Sequence, residues 1–385
     1  MNTTEWLGRL IAHDTTSHLS NLVLIDDVAN YLDAHGLHPW LVKNEDYSKA
    51  NLFVTLPAAD GNTEGGLILS GHTDVVPAVP EGWCSHPFRA DIREGKIYGR
   101  GAADMKGFIA SVLAAVPKIQ RTPLARPLHI ALSYDEEVGC LGVPHMLDEI
   151  RARGLKPEYC IVGEPTSMRA VLAHKGIHLF RCRLHGKPAH SSLPHFGVNA
   201  VEYAARLILF IQNLAASFKQ PPFADDSFNV PYSSLSINNI RGGMADNIVP
   251  PLCELRFDYR NLPQMSVLDV IDPLSHYIRH ELEPQMQRTD PDALIEIEEL
   301  VSVPAMPASD DTRLGALLNL LEMPTGAERV SYTTEGGLFR QAGIPTVICG
   351  PGSIEQAHRP NEYIELSQLA QCDAFLERVL KAFAK

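Results

Sequence analysis

GLILSGHTDVVP, residues 66–77, opens with an unbroken apolar run, GLILS at 66–70, and carries His72 and Asp74 just past it. Continuous rather than alternating apolar residues mark a strand covered on both faces, as in a parallel sheet sandwiched by helices. Three further runs have this character: LHIALS at 128–133, YCIV at 159–162 and PTVIC at 345–349. Helical stripes separate them. Phe108, Ile109, Val112, Leu113 and Val116 share one face of 105–119, and Leu22, Ile25, Val28, Ala29 and Leu32 share another upstream. The alternation predicts an α/β fold with a mixed, mostly parallel sheet and helices on both faces.

The middle of the chain has a different rhythm. Single apolar residues alternate with polar ones at Phe180, Cys182 and Leu184, at Leu235 and Ile237, at Cys253, Leu255, Phe257 and Tyr259, and at Ile295 and Ile297. Period two implies strands with one wet face. With helical stretches near 199–214 and 267–281 between them, the order is β-α-β-β-α-β, that of an α+β ferredoxin-like layer. The expected organisation is a main domain built from 1–177 and 304–385, interrupted by an inserted domain at 178–303.

Composition sets the outer limits. A chain of 385 residues exceeds what one core usually organises, so two domains are expected. Its 45% hydrophobic and 21% charged residues are those of an ordinary globular protein, which excludes disorder and fibrous architectures. The net charge of -13, with no Lys/Arg block to neutralise a row of phosphates, argues against nucleic acid as a partner. Seven scattered cysteines without a CxxC pair read as reduced thiols. No basic-then-apolar leader and no run of about 18 apolar residues is present, which predicts a cytoplasmic protein without a membrane partner.

Potential metal ligands fall where the apolar runs stop. His72 and Asp74 follow the first, Glu136 and Glu137 (DEEVG) the second, Glu164 (GEPTS) the third and His358 the fourth, while Asp104 (GRGAADMKG) enters the crossover helix. Carboxyl ends of parallel strands converge on one crevice, so these groups are expected to meet. Two imidazoles and several carboxylates at one place repel or take up protons unless divalent cations offset them. Such donors suit Zn²⁺, Co²⁺ or Mn²⁺, and a pair of ions about 3.5–4 Å apart is the usual hydrolytic arrangement. No single residue decides this. A lone HxD is as well a turn, a lone DEE a solvated cluster, Asp104 alone a helix cap and His358 alone a surface histidine.

The order GHTDVVP, GRGAADMKG, DEEVG, GEPTS, HGKPAHSS and AHRPNE resembles, over the whole chain, the co-catalytic zinc peptidase and deacylase family. Carboxypeptidase G2-like enzymes, succinyl-diaminopimelate desuccinylases and acetylornithine deacetylases belong to that family. Residues 163–176 and 350–363 are most similar to the last of these groups. The resemblance implies a metallopeptidase-like catalytic domain and two divalent metal ions, Zn²⁺ with Co²⁺ as a substitute. It makes Asp104 the bridging ligand, His72 and Glu164 ligands of one ion, and Glu137 and His358 ligands of the other. Glu136 becomes the general base, and Asp74 the partner that fixes the His72 tautomer.

By the same resemblance His190 reaches into a partner subunit's site to stabilise an oxyanion, so 178–303 is a dimerisation or lid domain and the protein a homodimer. Asn247 (ADNIVP) and Arg260 (DYRNLP) become candidates for holding a substrate carboxylate. The implied reaction is removal of the acetyl group from N²-acetyl-L-ornithine in arginine biosynthesis. A desuccinylase, an acetylcitrulline deacetylase or a broader N-acyl amino acid deacylase is the alternative. A non-catalytic, metal-stabilised dimeric binding module is the alternative of another class. His13, His18, His174 and His195 are expected to have no role in the chemistry.

Overall fold

The computed structural model describes residues 1–79, 81–309, 311–323 and 328–385. The chain divides into two compact units, one of Met1–Leu172, Ala308–Glu328 and Thr334–Lys385, the other of Ala173–Pro307 and Arg329–Thr333. The short return of Arg329–Thr333 to the smaller unit differs from the expectation that all of 304–385 lies in the main domain. It is held there by main-chain pairing, with Phe228 beside Arg329 and the Lys175 N–H donating to the Val330 carbonyl. Hydrogen bonding of this kind carries no hydrophobic period to read.

Six strands of a mixed sheet organise the larger unit, in the order Trp40–Lys43, Ala50–Leu56, Leu128–Ser133, Leu67–His72, Tyr159–Pro165, Thr346–Gly350. The third to sixth of these run parallel. Ala50–Leu56 pairs antiparallel with Leu128–Ser133 and with Trp40–Lys43. ANLFVTL is almost entirely buried, yet Asn51 and Thr55 interrupt its apolar run and hide it from a search for continuous hydrophobicity. Both polar side chains are satisfied internally, Asn51 Nδ2 donating to the Gly142 carbonyl at 2.8 Å and Thr55 Oγ1 meeting His129 Nδ1 at 2.9 Å.

The crossover helix is Gly107–Arg121, entered through a wider turn at Ala102–Lys106. Phe108, Ile109, Val112, Leu113, Val116 and Ile119 are buried along it, each contributing roughly 1.5–3 kcal/mol relative to exposure. It packs with helices Thr3–Ile11 and Leu366–Phe383, whereas Val143–Ala152 packs with Gly336–Gln341, so two separate helix groups cover the sheet. Gly163 permits a close approach of helix and sheet, because a Cβ there would lie 2.0 Å from the Phe108 ring. That contact brings the helix entry against the strand that carries Glu164.

Strands Leu294–Val303, Ile177–His185, Leu252–Arg260 and Ser234–Gly242 lie in that order in the smaller unit, every neighbour antiparallel. With helices Ala200–Ser217 and Leu268–Tyr277 this is the ferredoxin-like arrangement. Its core joins Phe180, Cys182 and Leu184 to Cys253, Leu255 and Phe257, the alternating positions of the sequence. All seven cysteines are free, six of them buried and Cys84 exposed. Among the described residues no helix is long and apolar enough to cross a membrane.

His129 sits fully inside the larger unit, its Nε2 on the Gly65 carbonyl at 2.9 Å. Burial pushes its pKa down from 6.5 to about 4. The folded chain therefore keeps the ring neutral where the unfolded chain protonates it, and stability falls as pH drops from about 6.5 towards 4, by up to roughly 3 kcal/mol. His129→Gln, which hydrogen-bonds but does not titrate, is expected to flatten that limb of the curve. Urea unfolding midpoints from pH 7 to 4 check it, and an unchanged slope would show that other groups govern acid sensitivity.

Candidate metal centre

The parallel strands deliver their polar side chains from within their last residues rather than from the loops beyond. His72 is the final residue of Leu67–His72 and pairs in register with Ser133, and Glu164 lies inside Tyr159–Pro165. The expectation that both follow their strands is corrected accordingly: ladder bonding continues one to three residues past the apolar run. Both side chains are buried.

Donor atoms of His72, Asp104 and Glu137 lie within 4.8 Å of one another, as do those of His72, Glu136 and Glu164. His72 Nε2 stands 3.0 Å from Asp104 Oδ1 and 3.8 Å from Glu164 Oε1. On the other side His358 Nε2 stands 3.2 Å from Asp104 Oδ2 and 3.0 Å from Glu137 Oε2. Asp104 thus turns one oxygen to each imidazole. The seven expected groups of the larger unit are brought together; His190, Asn247 and Arg260 belong to the smaller one.

Hydrogen bonding settles how the His72 ring is presented. Its Nδ1 lies 2.9 Å from the main-chain carbonyl of Asp74, which can only accept, so Nδ1 carries a proton and Nε2 is the atom turned towards the carboxylates. The Asp74 carboxylate is farther from the ring, at 3.6 Å. It accepts from the backbone N–H of Glu136 at 3.0 Å, the N–H of Glu137 at 3.2 Å and the Ser17 hydroxyl at 2.8 Å. Its carboxylate therefore also holds the DEE turn.

Electrostatics show what this cluster lacks. Burial, together with neighbouring carboxylates, pushes Glu136, Glu137 and Glu164 towards their neutral forms. Burial would lower His72, but hydrogen bonds to Asp104 and Asp74 outweigh it and hold the ring well above its usual range. Hydrogen bonds to Asp104 and Glu137 raise His358 to about 10. Three carboxylates gathered within 3–4 Å of two imidazoles crowd negative charge that divalent cations would offset, the imidazoles giving up their Nε2 protons on binding them. The donor set fits such ions.

Two supports escaped the sequence reading. Glu335, in TTEGG, is fully buried and accepts the Ser133 hydroxyl through Oε1, with burial raising its pKa to about 7. Lys49 donates to Asp135 at 2.5 Å and to the Ser17 carbonyl, pinning the turn that holds Glu136. A carboxylate and a lysine far from any motif carry no local signal; only the fold places them. Within the smaller unit His190 pairs with Ile248 and the Ser191 N–H donates to the Asn247 carbonyl, which sets His190 and Asn247 side by side. Arg260 ends another strand and leans on Asp258 at 3.3 Å.

Residues 68–382 match the peptidase family M20/M25/M40, and the chain belongs to that family. It is 34% identical over 388 residues to an acetylornithine deacetylase of Pasteurella multocida (strain Pm70), covering 98% of this chain and 97% of the relative. The aminopeptidase PepT of Bacillus cereus ATCC 10987 superposes with a TM-score of 0.75 at 19% identity, covering 100% of this chain and 98% of that one. The Bacillus subtilis YXEP protein, a dinuclear metal-binding peptidase from the M20 family, superposes with a TM-score of 0.69 at 14% identity over 98% of this chain and 96% of its own. The chain is accordingly a hydrolase of the peptidase and deacylase type, with candidate metal-binding groups at its strand ends.

Asp74→Asn puts an amide N–H₂ against backbone N–H donors while leaving the carbonyl that orients His72. Loss of such a supporting contact is expected to weaken metal affinity or turnover about 10–100-fold. Cobalt titration and hydrolysis rates check it, and wild-type values for both would reduce the carboxylate to a space filler.

Proposed function

We propose that this chain is a metal-dependent amidohydrolase that converts N²-acetyl-L-ornithine to L-ornithine and acetate, a step of arginine biosynthesis. The observation that carries the hydrolytic part is the convergence of His72, Asp104, Glu137, Glu164 and His358 beside Glu136. Similarity at 34% identity to an acetylornithine deacetylase supports the substrate. His72 and Glu164 would hold one divalent cation, Glu137 and His358 the second, with Asp104 between them; zinc suits these donors and cobalt substitutes. When bound, the ions acidify water and polarise the amide carbonyl.

The chain's residues do the rest. Glu136 takes a proton from the attacking water as the new C–O bond forms, then delivers it to the departing amine as the C–N bond breaks. The Asp74 carboxylate holds the Glu136 main chain in place, and the Cys140 thiol lies 3.6 Å from Glu136 Oε1. His190 would stabilise the developing oxyanion from a partner subunit. Asn247 and Arg260 would hold the substrate's carboxylate, the guanidinium offering a two-point grip.

One distance favours a second reading, in which Glu136 is itself a ligand, because its oxygen shares the 4.8 Å group with His72 and Glu164. Glu136→Gln separates the two. As a base, its loss is expected to leave metal stoichiometry intact and lower turnover by about 10²–10⁴-fold; as a ligand, its loss releases an ion. A panel of N-acetyl, N-succinyl and dipeptide substrates assayed with added Zn²⁺ or Co²⁺ tests the specificity. No preference for acetylornithine would overturn the narrow substrate in favour of a broader deacylase, and no hydrolysis at all would favour the binding module.

Use of His190 in a partner's site requires a homodimer, and the strands Ser234–Gly242 and Leu294–Val303 offer free sheet edges for one. Light scattering during turnover is expected to read two copies. A fully active monomer would rule out the role of His190 across subunits.

A further inference from the structure

Four hydrogen bonds converge on Glu362, a fully buried carboxylate in the AHRPNE segment that the reaction above does not use. Oε1 accepts the main-chain N–H of Ala103 at 2.9 Å and of Asp104 at 3.1 Å. Oε2 accepts the N–H of Gly101 at 3.0 Å and the Arg100 guanidinium at 2.8 Å. Its own carbonyl accepts from the Gly99 N–H at 2.9 Å. Every residue from Gly99 to Asp104 except Ala102 is thereby tied to one side chain or its main chain.

The tie joins the two halves of the cluster. Glu362 stands four residues after His358, and Arg100 reaches back to the Arg359 carbonyl at 3.4 Å and to the Pro77 carbonyl at 3.3 Å. Asp104, at the end of the tied segment, turns Oδ1 to His72 and Oδ2 to His358. A further carboxylate beside an already acidic centre is electrostatically costly and is offset here by Arg100 and three aligned N–H dipoles. A neutral side chain would fill the volume without that cost. We propose that Glu362 is a positioning residue, a template that sets the Asp104 backbone so that its two oxygens address both cation positions at once. The inference rests on Asp104 acting as the bridge.

Glu362→Gln tests it, because whichever way the amide turns, its N–H₂ meets two N–H donors. Cobalt titration of the metal-free full-length chain, followed by visible absorption, is expected to show affinity weakened about 10–100-fold and an altered cobalt spectrum. Turnover at saturating cobalt should fall by a similar factor with KM within about threefold, and Glu362→Asp should recover part of both. Asn361→Gly is the control: it removes bonds of the same loop to Gly82 and Cys84 that do not involve Asp104. It should lower the melting temperature without moving the cobalt isotherm.

Wild-type cobalt affinity and spectrum in Glu362→Gln, with only a lower melting temperature, would overturn the proposal. If that variant does not fold, the aspartate variant carries the test, and an unshifted isotherm there overturns it equally. Asp104→Asn distinguishes the two claims. If it retains both cobalt ions, the bridging assignment fails; if it loses them while Glu362→Gln binds normally, only the template fails.

Discussion

The structure depends on a single electrostatic constraint, that ionisable groups are gathered where water cannot screen them. His72, Asp104 and Glu164 are nearly inaccessible, and the two carboxylates would be fully charged in water. Uncompensated, such a cluster opposes folding by several kcal/mol per ion. Each member is accordingly fixed by a neighbour: His72 by a carbonyl, Asp104 by a backbone pinned to Glu362, and the DEE turn by Asp74 and Lys49. The hydrophobic core beneath, from Phe108 to Phe383, gives these polar supports a stiff base.

Topology makes the gathering possible. Parallel strands end side by side, so residues from opposite ends of the chain occupy one edge without long excursions. The antiparallel strands Trp40–Lys43 and Ala50–Leu56 extend the sheet on one side without adding donors, while Asn51 ties the strand to the turn before Val143–Ala152. Gly163 lets the crossover helix press against the Glu164 strand, and the entry turn of that helix carries Asp104.

Much of this was legible beforehand, and the limits are physical. Continuous apolar runs announced the four parallel strands because two covered faces leave no room for polar alternation, and Leu128–Ser133 was found to the residue. The ferredoxin-like unit was equally visible through its period of two. Ala50–Leu56 was missed because its buried polar residues are satisfied by tertiary contacts that no local window contains. Donor identity at the cluster was readable since chemistry restricts it to a few residue types. The scaffolding around it was not: Glu335, Lys49 and Glu362 act through bonds to residues 86–262 positions away.

Ser17 and Lys49 precede residue 68, where the match to the M20/M25/M40 family begins, yet Lys49 grips the turn that presents Glu136 and Glu137 through Asp135, and Ser17 steadies it through Asp74. The functional perimeter of the molecule is therefore wider than the span of that family match. An excised 68–382 fragment would retain every candidate ligand while forfeiting the outer braces that keep two of them aimed, a distinction that matters whenever such a boundary guides the dissection of a chain.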